Sequence, residues 1–166
     1  MFNAVWEPDA VHYRGPRAVV EPATVRPKPA SPIPILIAGE AAGSRAMERI
    51  ATHGDGWLPV IGPGQFDATA RTWDRIRQLA AARGRDAGKM ELIVVGNVTF
   101  ADRSLSDDRV PFTGTVDQVI DDIGSAAAAG AGEVIIDRSL QPWFSTTGRM
   151  LEVAQEIHER VREARI

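Results

Sequence analysis

The chain has 166 residues, enough for one domain with a substantial core, and its hydrophobic (44%) and charged (25%) fractions are those of an ordinary soluble globular protein. Its net charge is −3, the basic residues are scattered with no run beside aromatics, and there is no cysteine. That argues against a nucleic-acid surface and removes disulfides, thiolate metal sites and cysteine nucleophiles. The longest apolar stretch, Pro34 to Gly39, is too short to span a bilayer, so no membrane role is expected. The opening residues, Met1 to Trp6, lack the charged and apolar regions of a signal peptide, and the expected location is the cytoplasm.

From Pro8 to Pro34 prolines recur every few residues, and proline removes a backbone donor and pushes the preceding residue toward extended geometry. Residues 1–33 therefore read as a separate proline-rich segment, with a short hairpin between Val11–Gly15 and Arg17–Glu21. Residues 34–166 carry the regular pattern. Ile35-Leu36-Ile37-Ala38 is a run without polar alternation, as expected of a strand buried on both faces. It ends in Gly39-Glu40-Ala41-Ala42-Gly43-Ser44, after which a helix from Arg45 to His53 closes at Gly54. Gly56 to Val60 predicts a second strand, stopped by Gly62-Pro63-Gly64. Phe66, Ala70, Trp73, Ile76 and Ala80 then fall on one stripe at helical spacing, with arginines opposite, and Gly84 ends that helix.

Glu91 to Gly96 is the clearest strand, rich in β-branched residues. A polar loop from Asp102 to Arg109 leads to Thr115-Val116-Asp117-Gln118, which has the form of a capping box opening a helix that runs to Gly130. Glu133 to Asp137 is a fourth strand. Met150, Ala154, Ile157 and Val161 make an apolar stripe on a last helix whose arginine-rich end suits the helix dipole.

The order βαβαβαβα with short connections means parallel strands joined by right-handed crossovers. It fits a small doubly wound sheet or half of a (β/α)8 barrel, and periodicity alone does not choose. Three segments do. Pro34 to Glu40 with His53-Gly54-Asp55-Gly56-Trp57-Leu58-Pro59 one helix later, Pro111-Phe112-Thr113-Gly114-Thr115-Val116-Asp117-Gln118-Val119, and Ala129-Gly130-Ala131-Gly132-Glu133-Val134-Ile135-Ile136-Asp137 stand in the order found in luciferase-like oxidoreductases. The loop from Trp6-Glu7-Pro8 to His12-Tyr13-Arg14-Gly15 is similar to that family's tryptophan-containing connection after its fourth helix. The resemblance is strongest to the deazaflavin-dependent branch. It implies an α/β fold of about four parallel βα units, half of a (β/α)8 TIM barrel, with the family's first four strands belonging upstream of Met1.

Hydride transfer lies beyond any side chain, so the resemblance also implies a cofactor, either a deazaflavin (coenzyme F-420) or FMN, and a small-molecule substrate. The expected cofactor-binding residues are Gly39, Glu40, Ala41, Gly43 and Ser44, where a strand's C-terminal end meets a helix N-terminus and free backbone N–H groups favour an anion. Glu40 is expected to contribute its N–H, since its carboxylate repels phosphate, and Ser44 to cap the helix or donate to the phosphate. The bland reading of this loop is a tight βα turn with a serine cap. Asn97 and Asp137-Arg138 sit at strand C-terminal ends, where barrel enzymes place functional groups. Trp57 and Trp73 read as core packing, and His12, His53 and His158 have no metal-ligand spacing. No catalytic residue stands out. A half-barrel leaves open edges at 35–38 and 134–136, so a homodimer or a partner half-barrel is expected. The rival readings are a non-catalytic oligomeric binding module that kept the scaffold and an anion site, and a phosphate-binding α/β protein unrelated to redox.

Overall fold

A computed structural model of the chain describes residues 5–6, 10–41, 43–138, 147–164 and 166. Ala42 and the Glu7-Pro8 part of the N-terminal resemblance lie outside the described residues. The chain divides into two compact units, Met1–Pro34 and Ile35–Ile166. In the first, β1 (Val11–Gly15) pairs antiparallel with β2 (Ala18–Ala23), with an irregularity in register between Val11 and Tyr13. This is the expected hairpin, its second strand extended to Ala23.

The second unit is built on a four-stranded parallel sheet in the order β3 (Leu36–Ala38), β4 (Gly56–Leu58), β5 (Glu91–Asn97) and β8 (Glu133–Asp137). Strand β4 stops at Leu58 because Pro59 has no N–H to donate to a ladder. The Pro59 carbonyl still accepts from Val95, and Val60 bridges Val95, so the pairing resumes one residue on. Four helices alternate with these strands: α1 (Ser44–His53), α2 (Phe66–Ala81), α3 (Val116–Ala128) and α4 (Thr147–Ala164).

The register decides the architecture. Residues aligned across a parallel sheet share a face, and the core takes from the sheet only Ile37, Trp57, Leu92, Val94, Val134 and Ile136, all on one side. Against that side pack Ile50 and Ala51 of α1, Trp73, Ile76 and Ala80 of α2, Val119, Ile123 and Ala126 of α3, and Val153 and Ile157 of α4. All four helices therefore lie on one face, as in a barrel wall and not as in a doubly wound sheet. The opposite face, with Leu36, Ala38, Leu58, Ile93, Val95 and Ile135, receives no described helix.

Two glycine-containing motifs fix this wall. In Gly54-Asp55-Gly56-Trp57, a Cβ at Gly56 would stand 2.4 Å from the Glu91 carbonyl oxygen, so only glycine lets β4 and β5 approach. Asp55 Oδ2 accepts from the Ile35 N–H at 2.9 Å, and Arg85 joins Asp55 Oδ1 (3.2 Å) to the Ala51 and Gly54 carbonyls. These contacts lie at the N-terminal ends of the strands, the end of a barrel that carries stability. At the other motif Thr115 caps α3: its side chain accepts from Gln118 N–H while Gln118 Oε1 accepts from Thr115 N–H, the expected capping box.

Helix α4 departs from expectation in phase. Its buried residues are Val153 and Ile157, whereas Met150 is 39% exposed and Ala154 is also exposed. Ala154 borders an open groove of about 270 Å³ between α3, β8 and α4, so the helix turns Val153 and not Ala154 fully toward the sheet. A short parallel pair, β6 (Thr99–Phe100) with β7 (Thr113–Gly114), was not foreseeable as strand, each member having only two residues.

Candidate functional site

The C-terminal ends of β3, β4 and β5 converge on one cleft of about 400 Å³. After β3 it is walled by Gly39 and Glu40, and after β4 by Val60, Ile61 and Gly62. Asn97, the last residue of β5, reaches it, as do Gln65 ahead of α2 and Val110 and Pro111. Its lining is thus apolar, with a carboxylate and two side-chain amides among it, the composition expected of a small-molecule site. A smaller hollow of about 200 Å³, lined by Ala41, Trp57 and Pro59 among others, shares Glu40, Val60 and Gln65 with it.

The loop after β3 is held by its backbone. Gly39 N–H donates to the Leu58 carbonyl at 3.2 Å, extending the ladder by one residue. Gly39 then turns at φ 108°, a conformation that side-chain-bearing residues rarely adopt. Its carbonyl accepts from the Trp57 indole Nε1–H at 2.8 Å. Trp57, expected to be a core residue, is one at 4% exposure, but it also anchors this turn.

Of the five residues expected to bind cofactor, Gly39 and Glu40 line the cleft, whereas Ala41 is 3% exposed and packs in the core. Gly43 is the N-cap of α1 in extended geometry, with no side-chain cap bond. Ser44 is the first helical residue and is exposed, so the serine cap of the bland reading is not formed. A Cβ at Gly39 or Gly43 would meet nothing within 4 Å, so the backbone at both positions is open to approach. The first turn of α1 carries no acidic residue and includes Arg45, both favourable to an anion.

The wall at Val110-Pro111 was missed by sequence reasoning, and it is the most firmly built part of the site. Asp122, 7% exposed on α3, accepts from Arg109 Nη1 (2.6 Å) and Nη2 (3.1 Å) and from the Phe112 N–H (2.6 Å). Arg109 also donates to the Gln118 carbonyl at 3.0 Å. Phe112 is held at φ 63°, costly for a non-glycine residue, with its ring edge-on to Phe66 at 6.2 Å. A Cβ on Gly96 would lie 2.8 Å from that ring, so the glycine before Asn97 is what lets Phe112 seat there. The legible signal was the phenylalanine-threonine-glycine-threonine segment; the partner Asp122, one helix away, was not. Of the other strand-end residues, Asp137 aligns with Asn97 across β5 and β8, and the Arg138 guanidinium sits 5.8 Å from the centre of the Phe100 ring. His12, His53 and His158 are on separate elements, and no group of three His, Cys, Asp or Glu that would hold a metal occurs among the described residues.

The family model described as luciferase-like monooxygenase matches residues 1–161. The chain belongs to that family. A curated relative, the F420-dependent glucose-6-phosphate dehydrogenase of Segniliparus rotundus, is 30% identical over 95 residues, which are 57% of this chain and 28% of the relative. Among solved structures, the coenzyme F420-dependent tetrahydromethanopterin reductase of Methanopyrus kandleri is similar with a TM-score of 0.67 at 14% identity, covering 92% of this chain and 58% of the reductase. Riboflavin lyase, solved with modified FMN and riboflavin, matches with a TM-score of 0.66 at 16% identity over 96% of this chain and 53% of its own. The luciferase-like chain thus spans little more than half the length of these structures and less of the curated relative, in keeping with its half-barrel fold. No described helix is long and apolar enough to cross a membrane.

Proposed function

We propose that this chain supplies one side of the active site of a deazaflavin- or FMN-dependent oxidoreductase, holding the phosphate-bearing part of the cofactor, while a second half-barrel supplies the other side. The observation that carries the reading is the cleft at the C-terminal ends of three parallel strands, beside a loop whose Gly39 and Gly43 leave backbone open to a ligand. Barrel enzymes of every chemistry put their sites at that end. When bound, the cofactor supplies hydride chemistry that no side chain possesses. The protein's part is binding and orientation. The N–H groups of Glu40 and Ser44 donate to the phosphate, Arg45 balances its charge, and the Asn97 amide donates to or accepts from a polar edge of the ligand. Val60, Ile61 and Pro111 exclude water from the ring system. The cofactors of the relatives, F420 and FMN, both carry a phosphate and support this assignment.

Fluorescence titration with both cofactors tests the proposal. At least one should be bound saturably, and Gly43→Val should weaken that binding by tenfold or more, about 1.4 kcal/mol, while leaving the circular dichroism spectrum unchanged. Extended geometry at Gly43 and the open space around it mean that a β-branched side chain fits the fold but occupies the approach to the loop. Equal affinity in the variant removes the loop from the site.

A further inference from the structure

The contact between Trp57 and Gly39 has a consequence for the cleft that packing alone does not explain. Trp57 sits on the helix-side face of β4, aligned with Ile37 of β3, and lines the smaller hollow but not the cleft. Its indole N–H holds the Gly39 carbonyl at 2.8 Å, on the core side of the loop. Across a trans peptide the C=O and N–H point in opposite directions. Fixing the Gly39 carbonyl toward the core therefore fixes the Glu40 N–H away from it. Gly39 at φ 108° is what allows the carbonyl to make that turn directly after donating its own N–H to Leu58. Both Gly39 and Glu40 line the cleft, and both are exposed.

We infer that Trp57 is a positioning residue: its indole N–H, and not only its bulk, orients the 39–40 peptide so that the Glu40 N–H is presented to the phosphate of a ligand in the cleft. The inference rests on the phosphate-bearing cofactor proposed above and adds to it the residue that preorganises the donor. A donor fixed in advance costs no ordering on binding, so the effect is felt in affinity for the phosphate and not in affinity for the rings. A phenylalanine at position 57 fills nearly the same space without the donor. The 39–40 peptide is then free to rotate, and the Glu40 N–H loses its direction.

The experiment compares FMN with riboflavin, which has the same ring system without the phosphate. In the unmodified protein FMN should bind more tightly. In Trp57→Phe, FMN affinity should fall about tenfold while riboflavin affinity is unchanged, the magnitude of one charge-assisted hydrogen bond. If the variant loses affinity equally for both ligands, or for neither, Trp57 acts only as core and the inference is overturned. If the unmodified protein favours neither FMN over riboflavin nor coenzyme F420 over its phosphate-free deazaflavin, the phosphate site itself falls, and the inference with it. Should Trp57→Phe fail to fold, the unmodified protein decides. Its Trp57 indole N–H and Glu40 amide resonances should move together on adding FMN and stay still with riboflavin, and an indole indifferent to FMN while the Glu40 amide moves overturns the inference.

Discussion

At the scale of single residues, Asp122 joins the cleft to the core. It is buried, so removing it leaves the Arg109 guanidinium unpaired and the Phe112 N–H without an acceptor. Breaking a buried pair from one side costs far more than losing an exposed one. Asp122→Ala should lower unfolding stability by about 3 kcal/mol in urea titration. Lys89→Ala, which breaks a solvent-exposed pair with Asp86, should change it by less than about 0.5 kcal/mol. Comparable losses in the two variants would show that Asp122 does not anchor the turn. The same contrast explains what the sequence hid. The position of Gly39 and Glu40 at the end of a strand was legible because a strand–turn–helix junction with glycines has a local signature. Val110 and Pro111 were not, since their place in the cleft depends on a carboxylate contributed from another element and on the absence of a Cβ at Gly96.

At the scale of elements, all four strands of the parallel sheet and all four helices stand where the pattern of apolar runs and breakers puts them. The capping box was readable because it is a local exchange of hydrogen bonds between Thr115 and Gln118. Gln118 does more than the motif requires, since its side chain also accepts from Leu105 N–H and donates to the Leu105 carbonyl, tying the polar loop to the helix. Thr115→Ala should therefore cost about 1 kcal/mol, the ordinary cost of an N-cap, while Gln118→Ala should cost more. A Gln118→Ala variant as stable as Thr115→Ala would mean the loop contacts contribute nothing. The phase of α4 was misread because Met150, Ala154, Ile157 and Val161 repeat as well as Val153, Ile157 and Val161 do. Only packing against β8 and α3 selects between the two stripes.

At the scale of the whole molecule, a sheet with helices on one face has a second face and two edges to satisfy. Ile135 is 39% exposed, β3 and β8 each pair on one side only among the described residues, and neither edge strand carries the lysines or bulges that commonly guard a free strand. A complete barrel has neither open face nor edge. We therefore expect the chain to associate, with itself or with a partner half-barrel. Sedimentation at micromolar concentration should show a dimer or larger species, and Ile135→Lys should shift it toward monomer. A well-folded monomer indifferent to concentration would contradict this.

If the cleft at the strands' C-terminal ends holds the cofactor, one spectrum reveals it most directly. With isotope-labelled protein titrated by FMN or coenzyme F420, amide shifts should concentrate at Glu40, Ser44, Asn97 and Val110. Shifts confined instead to the groove between α3, β8 and α4, or none at saturating cofactor, would contradict it.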